Sequence, residues 1–209
     1  MCGIVGIFLK NKELHSQLGS LFSPMLTEMG DRGPDSSGFA IYRDKIEDEF
    51  KVTLHSSTKN FDWNEVEKMI DSKFNLSIKI TKISSHAIFK TLLKPEEIRK
   101  FINSNFKDLN ITSIGQSLEI YKEVGMPLEV LEQFKVIDMI GSHMIGHTRM
   151  ATESAVTTEG AHPFNTGSDL CLVHNGSLSN HNELRKWLYK EKGIVFQTEN
   201  DSEVAAGYI

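Results

Sequence analysis

Four stretches of the chain carry side chains able to do chemistry. Cys2 stands directly behind the initiator methionine, and residues 31–38 read DRGPDSSG. GHTRMATES at 146–154 is followed by AHPF at 161–164, and HNGSLSN at 174–180 by ENDSEV at 199–204. The small side chain at position 2 favours removal of Met1, which would leave one residue bearing both a thiol and a free α-amine. The thiol has a reference pKa of about 8.5 and the amine about 7.7–8.0. Near neutral pH a modest shift lets the amine take the thiol's proton, directly or through a water. That is nucleophile activation with a terminal amine as base.

A thiolate attacking an amide generates an oxyanion, which needs fixed hydrogen-bond donors. Asn175 offers a side-chain amide and Gly176 a backbone N–H, both from a tight turn. Arg149 suits a bidentate grip on a carboxylate, and Asp201 suits an ammonium. Together these residues fit an amino-acid substrate. Singly, each has a plainer structural reading: Arg149 as a surface ion pair, and Asn175-Gly176 as a hairpin turn.

The elements that must position these residues follow from the pattern. Ile4, Val5, Ile7 and Phe8 predict a buried strand, not a signal peptide, because no positive charge precedes them and Lys10-Asn11-Lys12 follows at once. Leu14, Leu18, Leu21, Phe22, Met25, Leu26 and Met29 then recur at helical spacing, and Gly30 to Asp35 stop that helix. SSGFAIY resumes a strand. A middle segment of roughly residues 49–140 differs in composition, with no glycine between Gly38 and Gly115. There KVTLHSS, NLSIKITKI, AIFKTLL and ITSIGQSLEIY read as strands. DWNEVEKMIDSKF and KPEEIRKFINSNF read as helices, the second entered through Pro95. Strand, helix, strand, strand, helix, strand is the order of a split βαβ unit, so the segment is expected to be an inserted module. GSHMIGHTRMATES then reads as a strand leading into a loop. DLCLVHNGSLSNHNELRKWL reads as strand, turn and helix, and a last helix begins at NDSEV with Asp201 or Ser202 as its N-cap.

Composition narrows the class of partner. The chain has 209 residues, a net charge of −5 and no basic face, which argues against nucleic acid. Nothing approaches the roughly 18 apolar residues of a membrane span. Two cysteines make no disulfide framework, so a reducing cytoplasm is expected and Cys171, in the apolar run DLCLVH, reads as an inert core residue.

In this order MCGIVG, RGPDSSG, GHTRMAT, HNG and DSEV resemble the class II glutamine amidotransferases, the N-terminal-nucleophile glutaminases. The resemblance covers roughly residues 2–45 and 141–209 and is silent on the middle. It implies an α/β (α+β) fold, a four-layer αββα sandwich. It also implies Cys2 as nucleophile with its own amine as base, and Asn175 and Gly176 lining the oxyanion hole. By the same resemblance Arg149 holds the glutamine carboxylate with help from Thr152, Asp201 holds the amino group, and Glu153 belongs to the same substrate pocket. Arg32 and Asp35 would order the loop beside Cys2. Domains of this family continue past the DSEV helix, so residues 1–209 are expected to be a fragment or one part of a split protein.

Two positions depart from the family. Met150 stands where many members have an aromatic residue, and Glu153 where the hexosamine-forming branch has histidine. AHPF followed by HNGSLSN is closer to the glutamate-synthase-like branch, and the pattern is most similar to the amidotransferase-like subunit of N-methylglutamate synthase. That similarity implies glutamine as substrate, a separate synthase subunit receiving the nitrogen, and a hetero-oligomer. Any flavin would sit on that partner, since this chain has no GxGxxG or P-loop. Other readings of the same residues are a non-catalytic docking or glutamine-binding subunit, and a hydrolase of another amide. A papain-like pairing of Cys2 with His147 or His174 leaves the position of Cys2 unexplained. Histidines 143, 147, 162, 174 and 181 lack the spacing of a zinc site.

Overall fold

The computed structural model describes residues 2–151 and 155–209. The chain opens with β1 (Gly3–Phe8), α1 (Leu18–Thr27) and β2 (Ser36–Tyr42). It continues through β3 (Phe50–Ser56), α2 (Trp63–Phe74), β4 (Thr81–Ile83), β5 (His86–Thr91), α3 (Pro95–Asn105) and β6 (Leu109–Gly115). After these come β7 (Leu118–Val124), α4 (Pro127–Gln133) and β8 (His143–Arg149). The last part holds β9 (Phe164–Gly167), β10 (Leu170–Leu172), α5 (His181–Lys192) and α6 (Asp201–Tyr208).

Two four-stranded antiparallel sheets result, in the orders β1-β8-β2-β7 and β4-β5-β3-β6. The second carries the βαββαβ sequence of a split βαβ unit. Its helices obey simple rules. Asp62 caps α2 by accepting from Asn64 N, and Asn75 ends it in the left-handed region at φ 53°. Pro95 opens α3, and Ile98, Phe101 and Ile102 face Val52, Leu54, Phe89 and Ile114 of the sheet.

Three expectations need correction. ITSIGQSLEIY is two strands, not one, because the Asp169 carboxylate accepts from the backbone N–H groups of Gln116, Ser117 and Leu118 and breaks the run. β6 therefore ends in the second sheet while β7 pairs with β2 in the first, so the segment 49–140 does not coincide with the second sheet. NLSIKITKI contributes only Thr81–Ile83 as strand, since the N–H of Ile80 is held by the Glu67 carboxylate of α2. The N-cap of α6 is Asn200, whose side chain accepts from Ser202 N, and not Asp201 or Ser202.

The first sheet is covered on both faces. On one, Phe22 and Leu26 of α1 meet Phe39, Ile41, Tyr121 and residues of α4. On the other, Ala40, Leu118 and Ile120 meet Ile145, Tyr42 and Cys171, where the β9–β10 hairpin lies. Helix α6 packs on that hairpin and α5 on α6. The molecule is thus α+β with antiparallel sheets, layered as helices, sheet, hairpin, helices. Burial pushes the Cys171 thiol up, which keeps it protonated and inert. Among the described residues no helix is long and apolar enough to cross a membrane.

Candidate active site

Cys2 immediately precedes β1, whose register against β8 starts at Gly3↔Thr148. The ladder therefore brings the half-buried thiol to the end of β8, with Sγ 3.9 Å from the carbonyl of Met150. Glycine at position 3 is dictated by space. A Cβ there would lie 2.7 Å from Cβ of Met29 and 2.8 Å from Oγ1 of Thr148. The loop 30–35 closes from the other side. At Gly33 a Cβ would fall 2.5 Å from the carbonyl carbon of Thr148. Asp35 then stitches the loop to the strand end: its N–H donates to Arg149 O at 3.0 Å, and its carboxylate accepts from Ala151 N at 2.7 Å. Arg32 does not share in this. Its side chain is exposed and makes no hydrogen bond or ion pair among the described residues.

Strand alternation puts His143, Ile145, His147 and Arg149 on one face of β8, toward the hairpin and α6. Arg149 is 5% exposed and its Nη1 donates to Ala155 O at 3.1 Å. Burial lowers its pKa, while Cys2, Asp35 and Asp201 act in the opposite sense. Thr152 and Glu153 lie outside the described residues.

The turn after β10 supplies Asn175 and Gly176. The Asn175 side-chain amide donates to the carbonyl of Cys2 at 2.9 Å. Two histidines brace this turn. His147 Nε2 lies 2.9 Å from His174 O. A carbonyl only accepts, so Nε2 carries the proton. His174 Nδ1 is 2.9 Å from the Ser202 hydroxyl in the first turn of α6. The only local hint was parity: His147 and Arg149 are two residues apart on a strand and share a face. Burial, the leading cause, pushes His147 down to about 4 and His162, stacked on it at 4.1 Å, well below its ordinary value. Both rings are neutral at pH 7, and neither His147 nor His174 stands idle beside the thiol. Among the described residues no group of three or more His, Cys, Asp or Glu is placed to hold a metal ion.

Asp201 does two structural jobs in this structure. Its Oδ2 accepts from Leu178 N at 2.6 Å, and its Oδ1 accepts from the Ser202 hydroxyl at 3.3 Å. Cys2, Arg149, Asn175, Gly176 and Asp201 all line one cavity of about 530 Å³, a size suited to a small metabolite. A larger cavity of about 760 Å³ lies at the seam between the sheets, among Arg43, Lys51 and Ile83, and no cysteine lines it.

A thiol, an amide donor, a buried guanidinium and a carboxylate thus face one small cavity. A glutamine amidotransferase domain profile matches residues 136–208, and the chain belongs to the glutamine amidotransferase family. The glutamine amidotransferase-like protein GlxB of Rhizobium meliloti (strain 1021) is 51% identical over 210 residues, covering 100% of this chain and 69% of that protein. Shorter matches reach two enzymes named glutamine–fructose-6-phosphate aminotransferase [isomerizing]. That of Methanococcus maripaludis is 33% identical over 58% of this chain and 20% of its own length. That of Methanosarcina mazei is 37% identical over 53% and 18%.

Proposed function

We propose that this protein is an N-terminal-nucleophile glutaminase that releases nitrogen for a partner synthase. The observation that carries the reading is the convergence of Cys2, Arg149, Asn175, Gly176 and Asp201 on one cavity of about 530 Å³. The layer order of helices, sheet, hairpin and helices supports an αββα sandwich of the N-terminal-nucleophile type.

With Met1 removed, the α-amine of Cys2 takes the thiol proton and the thiolate attacks the side-chain amide carbon of glutamine. The oxyanion is held by the Asn175 amide and the Gly176 N–H, each donor worth about 10²–10³ in rate. Arg149 holds the α-carboxylate and Asp201 the α-ammonium; Thr152, as an aid at the carboxylate, and Glu153 are further substrate-binding residues of the proposal. When the intermediate collapses, the C–N bond breaks and the proton returns from the terminal ammonium to the departing ammonia. Water then cleaves the γ-glutamyl thioester to glutamate. Asp35 orders the loop beside the thiol through its bonds to Arg149 O and Ala151 N.

The acceptor is proposed to be a glutamate- or N-methylglutamate-synthase-type subunit in a hetero-oligomer, with any flavin on that subunit. A reducing cytoplasm agrees with two free cysteines. The test is intact mass of the native protein before and after treatment with a diazoketone analogue of glutamine. Loss of Met1 and one adduct on Cys2, prevented by excess glutamine, are expected. Met1 retained on fully active protein would sink the terminal-amine mechanism, and an unlabelled Cys2 would favour a docking subunit.

A further inference from the structure

The loop 155–161 lies between the substrate cavity and the second sheet and is tied to both. Toward the cavity, Ala155 O accepts from Arg149 Nη1 at 3.1 Å. Gly160 O accepts at 3.0 Å from Asn200, the residue that caps α6 beside Asp201. Toward the second sheet, the Glu159 carboxylate accepts from Asn110 of β6 at 3.0 Å and lies 3.4 Å from His55 Nδ1 of β3. Thr158 donates to the Glu123 carboxylate of β7, which also accepts from Ser85 beside β5 at 2.6 Å. Under the loop, the buried ammonium of Lys122 donates to Glu159 O and Ala161 O, both at 2.8 Å.

We infer that Glu159 is a positioning residue through which the second sheet sets the geometry of the glutamine cavity. One loop touches the partners of both charged groups that would grip the substrate, Arg149 on one side and the cap of the Asp201 helix on the other. On its far side the Glu159 carboxylate ties it to the other sheet, accepting from Asn110 of β6 and lying beside His55 of β3, while Thr158 is tied separately to Glu123 of β7. The His55 ring 3.4 Å away is the largest influence holding the Glu159 carboxyl down at about 2, so the anchor is ionised across the physiological range. Displacing Glu159 shifts both grips at once, because the loop is short and its backbone is bonded at each end. A misplacement of about 1 Å at a substrate-positioning group costs up to about 10²-fold.

The inference rests on the glutaminase reading, and its test separates the two. Glu159→Ala and Asn110→Ala, the latter outside the Cys2 cavity, are compared with wild type by two readouts. The first is the half-saturating concentration for Cys2 labelling by the glutamine analogue, set against labelling by iodoacetamide, which needs no amino-acid grip. The second is amide hydrogen exchange over 149–151, 155–161 and 199–202. Both variants are expected to raise half-saturation about tenfold at an unchanged iodoacetamide rate, with faster exchange in all three segments. Glu159→Gln, which keeps the acceptor for Asn110, is expected to fall closer to wild type. Unchanged exchange in the variants overturns the inference, as does faster exchange with unaltered half-saturation. If wild type is not labelled by the analogue, the glutaminase reading fails while exchange still decides the coupling.

Discussion

The second sheet buries one apolar face under α2 and α3 and carries no residue of the Cys2 cavity, whereas the first sheet is covered on both faces and ends in the cavity. In the second sheet, Val52, Leu54, Phe89 and Ile114 meet a continuous layer from Ile98 to Phe106. In the first, glycines let the chain close tightly on side chains at Gly3 and on the β8 backbone at Gly33, and buried polar side chains replace hydrocarbon at His147 and Arg149. One sheet is built for packing. The other gives up apolar packing at its ends to hold a thiol, a guanidinium and an amide donor in one place.

The comparison can be broken at either sheet. Cys2→Ser is expected to lower glutamine turnover by about 10³-fold or more while leaving the melting temperature near wild type; unchanged turnover would remove Cys2 from the chemistry. Ile102→Ala, in the fully buried core of the second sheet, is expected to cost about 2–5 kcal/mol, read by denaturant unfolding. Glutamine half-saturation of the folded fraction should be unaltered. Loss of catalysis without loss of stability would reverse the roles of the two sheets.

Acid should attack the first sheet through its neutral histidines. His147 is held at about 4 against an ordinary 6.5, so between these values the unfolded chain binds a proton that the folded protein refuses. Stability is therefore full above pH 6.5 and declines toward pH 4, by about 3 kcal/mol from this residue. His162 adds in the same direction. The slope of melting temperature against pH over that window should shrink in His147→Gln; an identical slope would place the acid sensitivity elsewhere. Gly33→Ala, which drives a methyl into the backbone of β8, is expected to cost about 1–3 kcal/mol, or about 2–4 °C in melting temperature per kcal/mol. A neutral result would mean that the loop can retreat from the strand.

The sequence was most legible where periodicity and short-range chemistry decide. Val66 and Ile70, or Ile98, Phe101 and Ile102, announce their helices by spacing alone. Legibility failed where a distant side chain overrules a local pattern. Asp169 splits an apparently continuous strand from 52 residues away at Ser117, and Glu67 captures Ile80 before it can join the sheet. The same holds at the cavity. Cys2, Arg149, Asn175 and Asp201 stand out by type and by motif. The brace from His147 to His174 spans 27 residues and the Asn110–Glu159 bond 49, and no local pattern encodes either. Arg32 looked equivalent to Asp35 in DRGPDSSG, yet only the shorter carboxylate reaches the strand end.

The β1–β8 ladder pairs six consecutive residues, from Gly3↔Thr148 to Phe8↔His143, with Cys2 next in line. It works as a ruler for the Cys2 thiol. One residue along a strand is about 3.3 Å and a reversal of face. Inserting a single residue between Cys2 and Gly3 would therefore carry the thiol beyond the cavity, while an insertion in the loop before β8 could be absorbed. The sulfur of Cys2 is placed by counting from the ladder, and that count has no slack.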